Sequence, residues 1–167
     1  MDWTIPNQIE VMGGVNFFQF IEIDNILTIP RQISGEIGII SLKDEKEWLA
    51  GYATPNTLEM NITPQEDDHG TIYNIVLSGE YPSPGAAMLE IFRSMLNKKY
   101  MVLAKNSSGK TRALGSDEEP LQFSFSEKSG KVASDRPAVA FSFTGKSMVA
   151  PYYYGVEISL PVAPVLE

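Results

Sequence analysis

Cysteine is absent from this chain of 167 residues, and histidine occurs once, at His69. The lack of cysteine excludes a disulfide framework, a thiolate metal site and a cysteine nucleophile. No apolar run approaches the roughly 20 residues that a membrane-spanning helix needs. Residues 1–10 contain no basic cluster ahead of an apolar stretch, so we expect no signal peptide there.

Positive charge is also scarce. The chain has 13 lysines and arginines against 21 aspartates and glutamates, which gives a formal net charge of −8 at pH 7. Such a surface repels phosphate backbones and anionic membranes, so we expect no sequence-specific nucleic acid partner and no membrane partner. The one basic concentration is interpreted as a solvated helix end and hairpin: Lys98, Lys99, Lys105, Lys110 and Arg112.

Alternation of apolar and small polar residues is the strongest pattern present. It occurs in residues 121–126 and again in residues 139–144. Because side chains on a strand point to opposite faces with period two, each stretch predicts a strand with one face on a core. With part of a third apolar stretch, these strands supply the predicted core: Ile75, Leu77, Phe123, Phe125, Phe141 and Phe143.

One helix is predicted, over residues 84–98. Ser83 is a favourable N-cap, and Pro84 stands at the first helical position, where its missing N–H costs nothing. Lys98 and Lys99 would close the last turn and complement the helix dipole. The apolar stripe that would pack on the sheet consists of Met88, Ile91, Phe92, Met95 and Leu96.

The remaining segments raise the expected total to about eight to ten strands. Asp24-Asn25 predicts a tight hairpin turn between two apolar runs. Further expectations are one or two helical turns within 43–52, a polar loop at 64–70, a strand at 71–79 buried on both faces, and a last strand at 156–160. No βαβ alternation occurs, so the predicted fold class is mainly β (α+β). We expect one domain over residues 1–167, with N- and C-terminal arms. Its predicted architecture is an antiparallel β-sandwich or barrel with one flanking helix.

Two stretches resemble the end of a phosphate-binding loop: Ser108-Gly109-Lys110-Thr111 and Thr144-Gly145-Lys146-Ser147. The glycine required five positions earlier is replaced by Ala104 and Ala140. Strands or prolines follow each stretch, where a phosphate site needs the N-terminus of a helix. We therefore expect no nucleotide cofactor.

His69 lies in an acidic stretch, Glu66-Asp67-Asp68-His69-Gly70. Oxygen and imidazole ligands can bind a cation, but this spacing fits no known loop and is interpreted as an acidic surface turn. Asp117-Glu118-Glu119 is interpreted in the same way. With a lone histidine and no Gly-x-Ser-x-Gly motif, we predict no catalytic, metal-binding or cofactor-binding residues and no enzymatic activity.

Residues 79–154 carry a resemblance to a known group of proteins. A strand, a capped helix and a hairpin ending Arg112-Ala113-Leu114-Gly115 precede Pro120-Leu121-Gln122-Phe123, a glycine loop and Phe141-Ser142-Phe143-Thr144-Gly145. This order resembles virion structural proteins of tailed bacteriophages and prophages, of the tail-tube or tail-associated kind. The resemblance implies a β-sandwich with a flanking helix, a place in the virion after assembly in the host cytoplasm, and no catalytic residue.

The expected function is a non-enzymatic subunit of a phage or phage-like tail: tube, terminator or head–tail junction. It would form homomeric rings by pairing edge strands and exchanging arms, with other tail or head–tail proteins as partners. The alternative is a β-sandwich module that binds a ligand or glycan through Trp48 or the run Tyr152-Tyr153-Tyr154; that run could equally anchor the C-terminal segment or a neighbouring subunit.

Apolar groups are frequent at both ends of the chain, among them Trp3 and Tyr152. Free tails of that composition would expose apolar surface that soluble monomers avoid. We therefore expect at least one end to be ordered against a neighbouring subunit. On that basis, deletion of residues 1–11 should leave the thermal unfolding of the monomer nearly unchanged.

Overall fold

A computed structural model describes Trp3 and residues 15–132, 134–135 and 137–158. About 50% of the described residues are in strands and about 9% are helical, which confirms the mainly-β class with one helix. The elements are a short 3-10 helix (Ile23–Asn25), the helix α1 (Ala86–Met95), and the strands β1 (Val15–Glu22), β2 (Ile26–Thr28), β3 (Glu36–Ile37), β4 (Ser41–Leu42), β5 (Leu49–Ala50), β6 (Glu59–Asp67), β7 (Gly70–Pro82), β8 (Lys99–Asn106), β9 (Thr111–Leu114), β10 (Leu121–Lys128), β11 (Ala138–Ser147) and β12 (Tyr153–Tyr154).

Ten of the strands form one large sheet that curls into a half-barrel. Its strand order is β3-β12-β9-β8-β10-β11-β7-β6, with β1 beside β8 and β5 beside β1. The pairing of β12 with β3 is parallel, so the sheet is mixed, whereas the sequence predicts an antiparallel one. The hairpin of β6 and β7 and the short strands β12 and β3 therefore lie at opposite ends of the strand order.

The strands β1 and β8 separate two hydrophobic cores. Tyr100 and Val102 of β8 face the first core, and Met101 and Leu103 face the second. The first core lies inside the curled sheet under α1, and the second is covered by residues of the 23–50 segment and by residues 152–158. A strand buried on both faces loses its polar alternation, which is why β8 reads as a continuous apolar run.

The predicted pair of alternating strands is confirmed. In the hairpin of β10 and β11, Phe123 lies opposite Phe143 and Phe125 lies opposite Phe141. Of the six predicted core residues, Phe125 is half-buried against the first core, and the other five belong to the buried residues of that core. On the outer face the hydroxyl oxygens of Ser124 and Ser142 are 2.9 Å apart and share a hydrogen bond.

The helix is shorter than predicted at both ends. Gly85 is the N-cap, so the predicted Ser83 cap is wrong. Ser83 has a φ of 37°, and both its N–H and its hydroxyl donate to the carbonyl oxygen of Pro137. Leu96 is already extended, with a ψ of 146°, and ends the helix before the lysines that were expected to close it. Its side chain is 37% exposed, whereas Met88, Phe92 and Met95 are buried as the stripe predicts.

Several local expectations are wrong because pairing with distant strands replaces local pairing. The 3-10 helix stands where Asp24-Asn25 predicted a hairpin turn, since β1 pairs with β8 and β2 pairs with β4. The segment 43–52 contains β5 and no helical turn. In β7 buried and half-buried residues alternate, so it is not buried on both faces. The C-terminal strand is β12, and residues 156–158 are not a strand; 159 and 160 lie outside the described residues.

Trp3 lies at the centre of the first core, 2% exposed. Its backbone N–H donates to the carbonyl oxygen of Ala50 at 3.1 Å, and its indole Nε1–H donates to the sulfur of Met95 at 3.4 Å. At the other end Ile158 is buried in the second core. Trp3 and Ile158 are therefore covered by their own chain. The other residues of the N-terminal arm and residues 159–167 of the C-terminal arm lie outside the described residues, so the contact of one end with a neighbouring subunit stays a prediction.

Candidate functional site

The hairpin of β6 and β7 projects beyond the first core. Its two strands pair continuously from Glu59 opposite Ser78 to Asp67 opposite Gly70. Residues 63–71 are all exposed, so this half of the hairpin packs against neither core. The predicted loop at 64–70 is instead the end of β6 followed by a two-residue turn, because cross-strand pairing extends to Asp67 and does not need apolar side chains.

The turn of this hairpin is acidic. We name Glu66, Asp67 and Asp68 the acidic tip; all three side chains are exposed. The N–H of Asp68 donates to the carboxylate of Asp67 at 2.7 Å, which shapes the turn. Within the described residues, no group of three histidine, aspartate or glutamate side chains is placed to hold a metal ion. His69 is exposed in the turn between β6 and β7, which is the acidic surface turn that the sequence predicts.

None of the ion pairs among the described residues uses the acidic tip. These pairs join Arg93 to Glu90, Lys98 to Glu22, Lys105 to Glu157 and Lys128 to Glu80. The carboxylates of the tip therefore meet only solvent and the local backbone in the part of the chain that the structure describes.

The opposite end of the strand order carries two cations over one aromatic ring. The guanidinium carbon of Arg112 is 4.7 Å from the ring centroid of Tyr153, and the Nζ of Lys110 is 5.6 Å from it. Both distances are within the range of cation–π attraction. Lys110 directly precedes β9 and Arg112 is the second residue of that strand, so the extended period of two brings both side chains to one face. We name Lys110, Arg112 and Tyr153 the cationic cluster.

An open groove of about 380 Å³ adjoins this cluster and is lined by Glu36, Lys110, Tyr153 and Glu157 among others. The Nη2 of Arg112 donates to the carbonyl oxygen of Pro151 at 2.9 Å. Its Nε is buried and has no acceptor among the described residues. The groove is therefore lined by the exposed ammonium of Lys110 and by Tyr153, whose ring carries the half-buried guanidinium of Arg112 beside the groove.

The three consecutive tyrosines have divided roles. Tyr152 and Tyr154 pack against the second core and anchor residues 152–154. Tyr153 is 38% exposed and lies under the two cations. Anchoring is thus confirmed for two of the three residues, and the sequence missed the pairing of Tyr153 with Lys110 and Arg112. The period-two spacing of those two basic residues was the signal that could have found it.

The two stretches that resemble phosphate-binding loops have structural roles. Ser108 and Gly109 lie in the turn between β8 and β9, where the side-chain oxygen of Asn106 accepts the N–H groups of Ser108 and Lys110. Gly145 lies in β11, where an added Cβ would be 2.6 Å from Leu121. Neither stretch is followed by a helix.

A second opening, of about 390 Å³, lies between α1 and β1 and is lined by Glu22, Lys98 and Tyr100 among others. The Nζ of Lys98 is 2.7 Å from the carboxylate of Glu22. Burial, and secondarily the Glu22 carboxylate, raises the pKa of the Tyr100 phenol. The phenol is therefore neutral at pH 7 and is not an activated nucleophile.

Replacing Tyr100 with phenylalanine should flatten the loss of stability at alkaline pH. The unfolded phenol ionises near its ordinary pKa of 10.0, whereas the folded phenol keeps its proton to higher pH. The wild-type protein therefore binds more protons folded than unfolded above pH 10, and its free energy of unfolding falls by up to about 1.4 kcal/mol per pH unit from this group. Urea unfolding from pH 8 to pH 11 measures the slope, with Tyr153→Phe as an exposed control. A Tyr100→Phe slope equal to that of wild type would contradict the assignment.

No family model, curated protein or solved structure matches this chain. None of the described helical segments has the length and apolar character needed to cross a membrane. The acidic tip and the cationic cluster are two charged surfaces of the described residues from which a function can be proposed.

Proposed function

We propose that the protein is a non-enzymatic structural subunit of a phage or phage-like tail that assembles into homomeric rings at the tube, the terminator or the head–tail junction. The projecting hairpin is the observation that carries this proposal. Nine consecutive residues, 63–71, are exposed and have no core of their own to cover. A two-stranded hairpin is only marginally stable alone in water, so an arm of this kind gains order from a neighbouring molecule.

The outer edge of β6 supports assembly over part of its length. Among the described strands, β6 pairs only with β7, so its other edge is open for strand addition. Pro64 interrupts that edge, because a proline in an edge strand offers no N–H donor. Strand addition is therefore confined to residues 59–63, and the acidic tip beyond Pro64 is left to make contacts of another kind.

The charge of the chain suits a tail subunit. A net charge of −8 gives a surface that repels DNA and does not retain it. Screening in physiological salt limits this repulsion to a distance of about 8 Å. That range is enough to keep DNA from adhering to the wall of a narrow channel. Location in the virion, and partners among other tail or head–tail proteins, are parts of the same proposal.

Oligomeric mass tests the proposal directly. We expect light scattering at micromolar concentration to give a closed homo-oligomer. A variant in which Asn-Gly replaces residues 64–73 would join Thr63 to Asn74, which lie opposite each other, by a favoured two-residue turn. This shortened hairpin should lose the oligomer while keeping the circular dichroism of the monomer. A wild-type protein that is strictly monomeric at all accessible concentrations would overturn the proposal.

One observation favours the second candidate, a module that binds a ligand or glycan. Tyr153 is 38% exposed beside an open groove, and exposed aromatic rings stack on sugars. Two cations already lie over this ring, so a sugar would have to share it with them. Binding to a glycan array that is lost on Tyr153→Ala, together with a monomeric mass, would favour this candidate over the ring subunit.

A further inference from the structure

We infer that the acidic tip of one copy docks on the cationic cluster of the next copy, so that the ring contact is head to tail. This inference rests on the proposed function. It joins two surfaces of opposite charge: Glu66, Asp67 and Asp68 on the hairpin, and Lys110 and Arg112 over Tyr153.

The positions of the two surfaces suit a contact between copies. The acidic tip belongs to β6 and β7, and the cationic cluster belongs to β9 and β12, at the other end of the strand order. A contact between two different patches is heterologous, and it forms a ring when the rotation between copies closes. Each copy then offers one hairpin and receives one.

The charges of the groove favour a carboxylate as the docking group. Glu157 lines the groove, but it already pairs with Lys105, with 3.3 Å between their charged atoms. The remaining charged residues that line the groove are Lys110 and Glu36, and the guanidinium of Arg112 adds a second positive charge over the Tyr153 ring beside them. A carboxylate is the acceptor that a guanidinium binds best, and the carbonyl of Pro151 leaves most of the Arg112 donors available.

A symmetric contact between two hairpins is disfavoured by the same charges. Two copies of β6 paired antiparallel along their full length would place Glu59 opposite Asp67 at both ends of the ladder, and Pro64 already interrupts such a ladder. Like charges directly opposite each other destabilise a strand pair. Two acidic tips likewise repel each other, so the complementary surface is the cationic cluster.

Charge reversal on each surface tests the contact. The first variant carries Lys110→Glu and Arg112→Glu, and the second carries Glu66→Lys and Asp68→Lys. For each variant alone, the protein concentration at which half of the chains assemble should rise at least tenfold, as measured by analytical ultracentrifugation. An equimolar mixture should recover assembly, because each tip then meets a groove of opposite charge; a chain with all four substitutions should recover it too, even where the ring has odd symmetry.

The control variant carries Arg93→Glu and Lys128→Glu, which change the net charge by the same amount as the first variant but at exposed positions elsewhere. It should assemble like wild type. Should the Arg112 substitution prevent folding, Lys110→Glu alone reverses an exposed charge and should still weaken assembly. Wild-type assembly that survives both reversals would overturn this contact and leave the ring subunit standing, whereas a monomeric wild type would overturn both.

Discussion

Replacing Trp3 with alanine should lower the free energy of unfolding by about 3 to 5 kcal/mol. The indole is surrounded by six aromatic rings with centroid distances of 4.8 to 6.1 Å, so its removal leaves a large cavity inside the first core. For a chain of this size, each kcal/mol corresponds to about 2–4 °C, so the melting temperature should fall by about 10 °C. Calorimetry in the shortened-hairpin background, which is expected to be monomeric, measures this change.

Ile33→Ala is the matched control, because this side chain is 76% exposed and its truncation opens no cavity. Its melting temperature should stay within about 1 °C of wild type, as is usual for exposed positions. Deletion of residues 1–11 removes Trp3 and should cost at least as much as Trp3→Ala, which reverses the expectation drawn from the sequence. An unchanged melting temperature for Trp3→Ala would restore the view that this end is covered by a neighbouring subunit.

The strands that cover one core were predictable because their burial has period two. Residues 121–126 and 139–144 alternate in sequence, and the structure pairs them with Phe123 opposite Phe143. Their outer faces carry small polar groups such as Ser124 and Ser142. In such strands the local pattern records the position of the core directly.

The errors fall where pairing or burial is not local. Asp24-Asn25 has the residues of a hairpin turn, but β1 pairs with β8, which lies far along the chain, and not with β2. The projecting part of β6 is polar on both faces, so no alternation distinguishes it from a loop. At the helix start, the backbone N–H and the hydroxyl of Ser83 both donate to the carbonyl oxygen of Pro137, so the hydroxyl does not cap the helix. Each of these outcomes depends either on a partner more than 50 residues away or on exposure of both strand faces. A local window of sequence contains neither kind of information.

The candidate surfaces were visible in the sequence only as separate parts. The acids at 66–68 and the basic residues at 110 and 112 were recognised, and both were interpreted as solvated groups. The placement of the acidic and basic groups at opposite ends of the sheet depends on the strand order, in which β7 and β9 lie on opposite sides of β8. That order follows from the pairings of β8, and no local pattern specifies it.

Gly51→Ala should destabilise the protein by about 3 kcal/mol or more, because it overpacks the first core. An added Cβ would lie 2.0 Å from the Cζ of Phe18. The Phe18 ring is only 1% exposed and is held by Trp3 and Phe141, at centroid distances of 5.5 and 5.7 Å. The N–H of Gly51 also donates to the carbonyl oxygen of Phe18 at 3.1 Å, so the two backbones cannot separate without losing that bond.

Urea unfolding measures the cost of Gly51→Ala against Gly38→Ala, whose added Cβ would make only an ordinary 3.8 Å contact with Pro30. The control should unfold within about 1 kcal/mol of wild type, since Gly-to-Ala changes without strain act mainly on the unfolded chain. If Gly51→Ala instead unfolds at the same urea concentration as Gly38→Ala, the Phe18 ring has room to move. The close packing of Phe18 between the 50–51 segment and Trp3 would then be wrong.

A second substitution, Phe18→Leu in the Gly51→Ala background, should recover part of the lost stability, because it removes the ring atoms that the new methyl group meets.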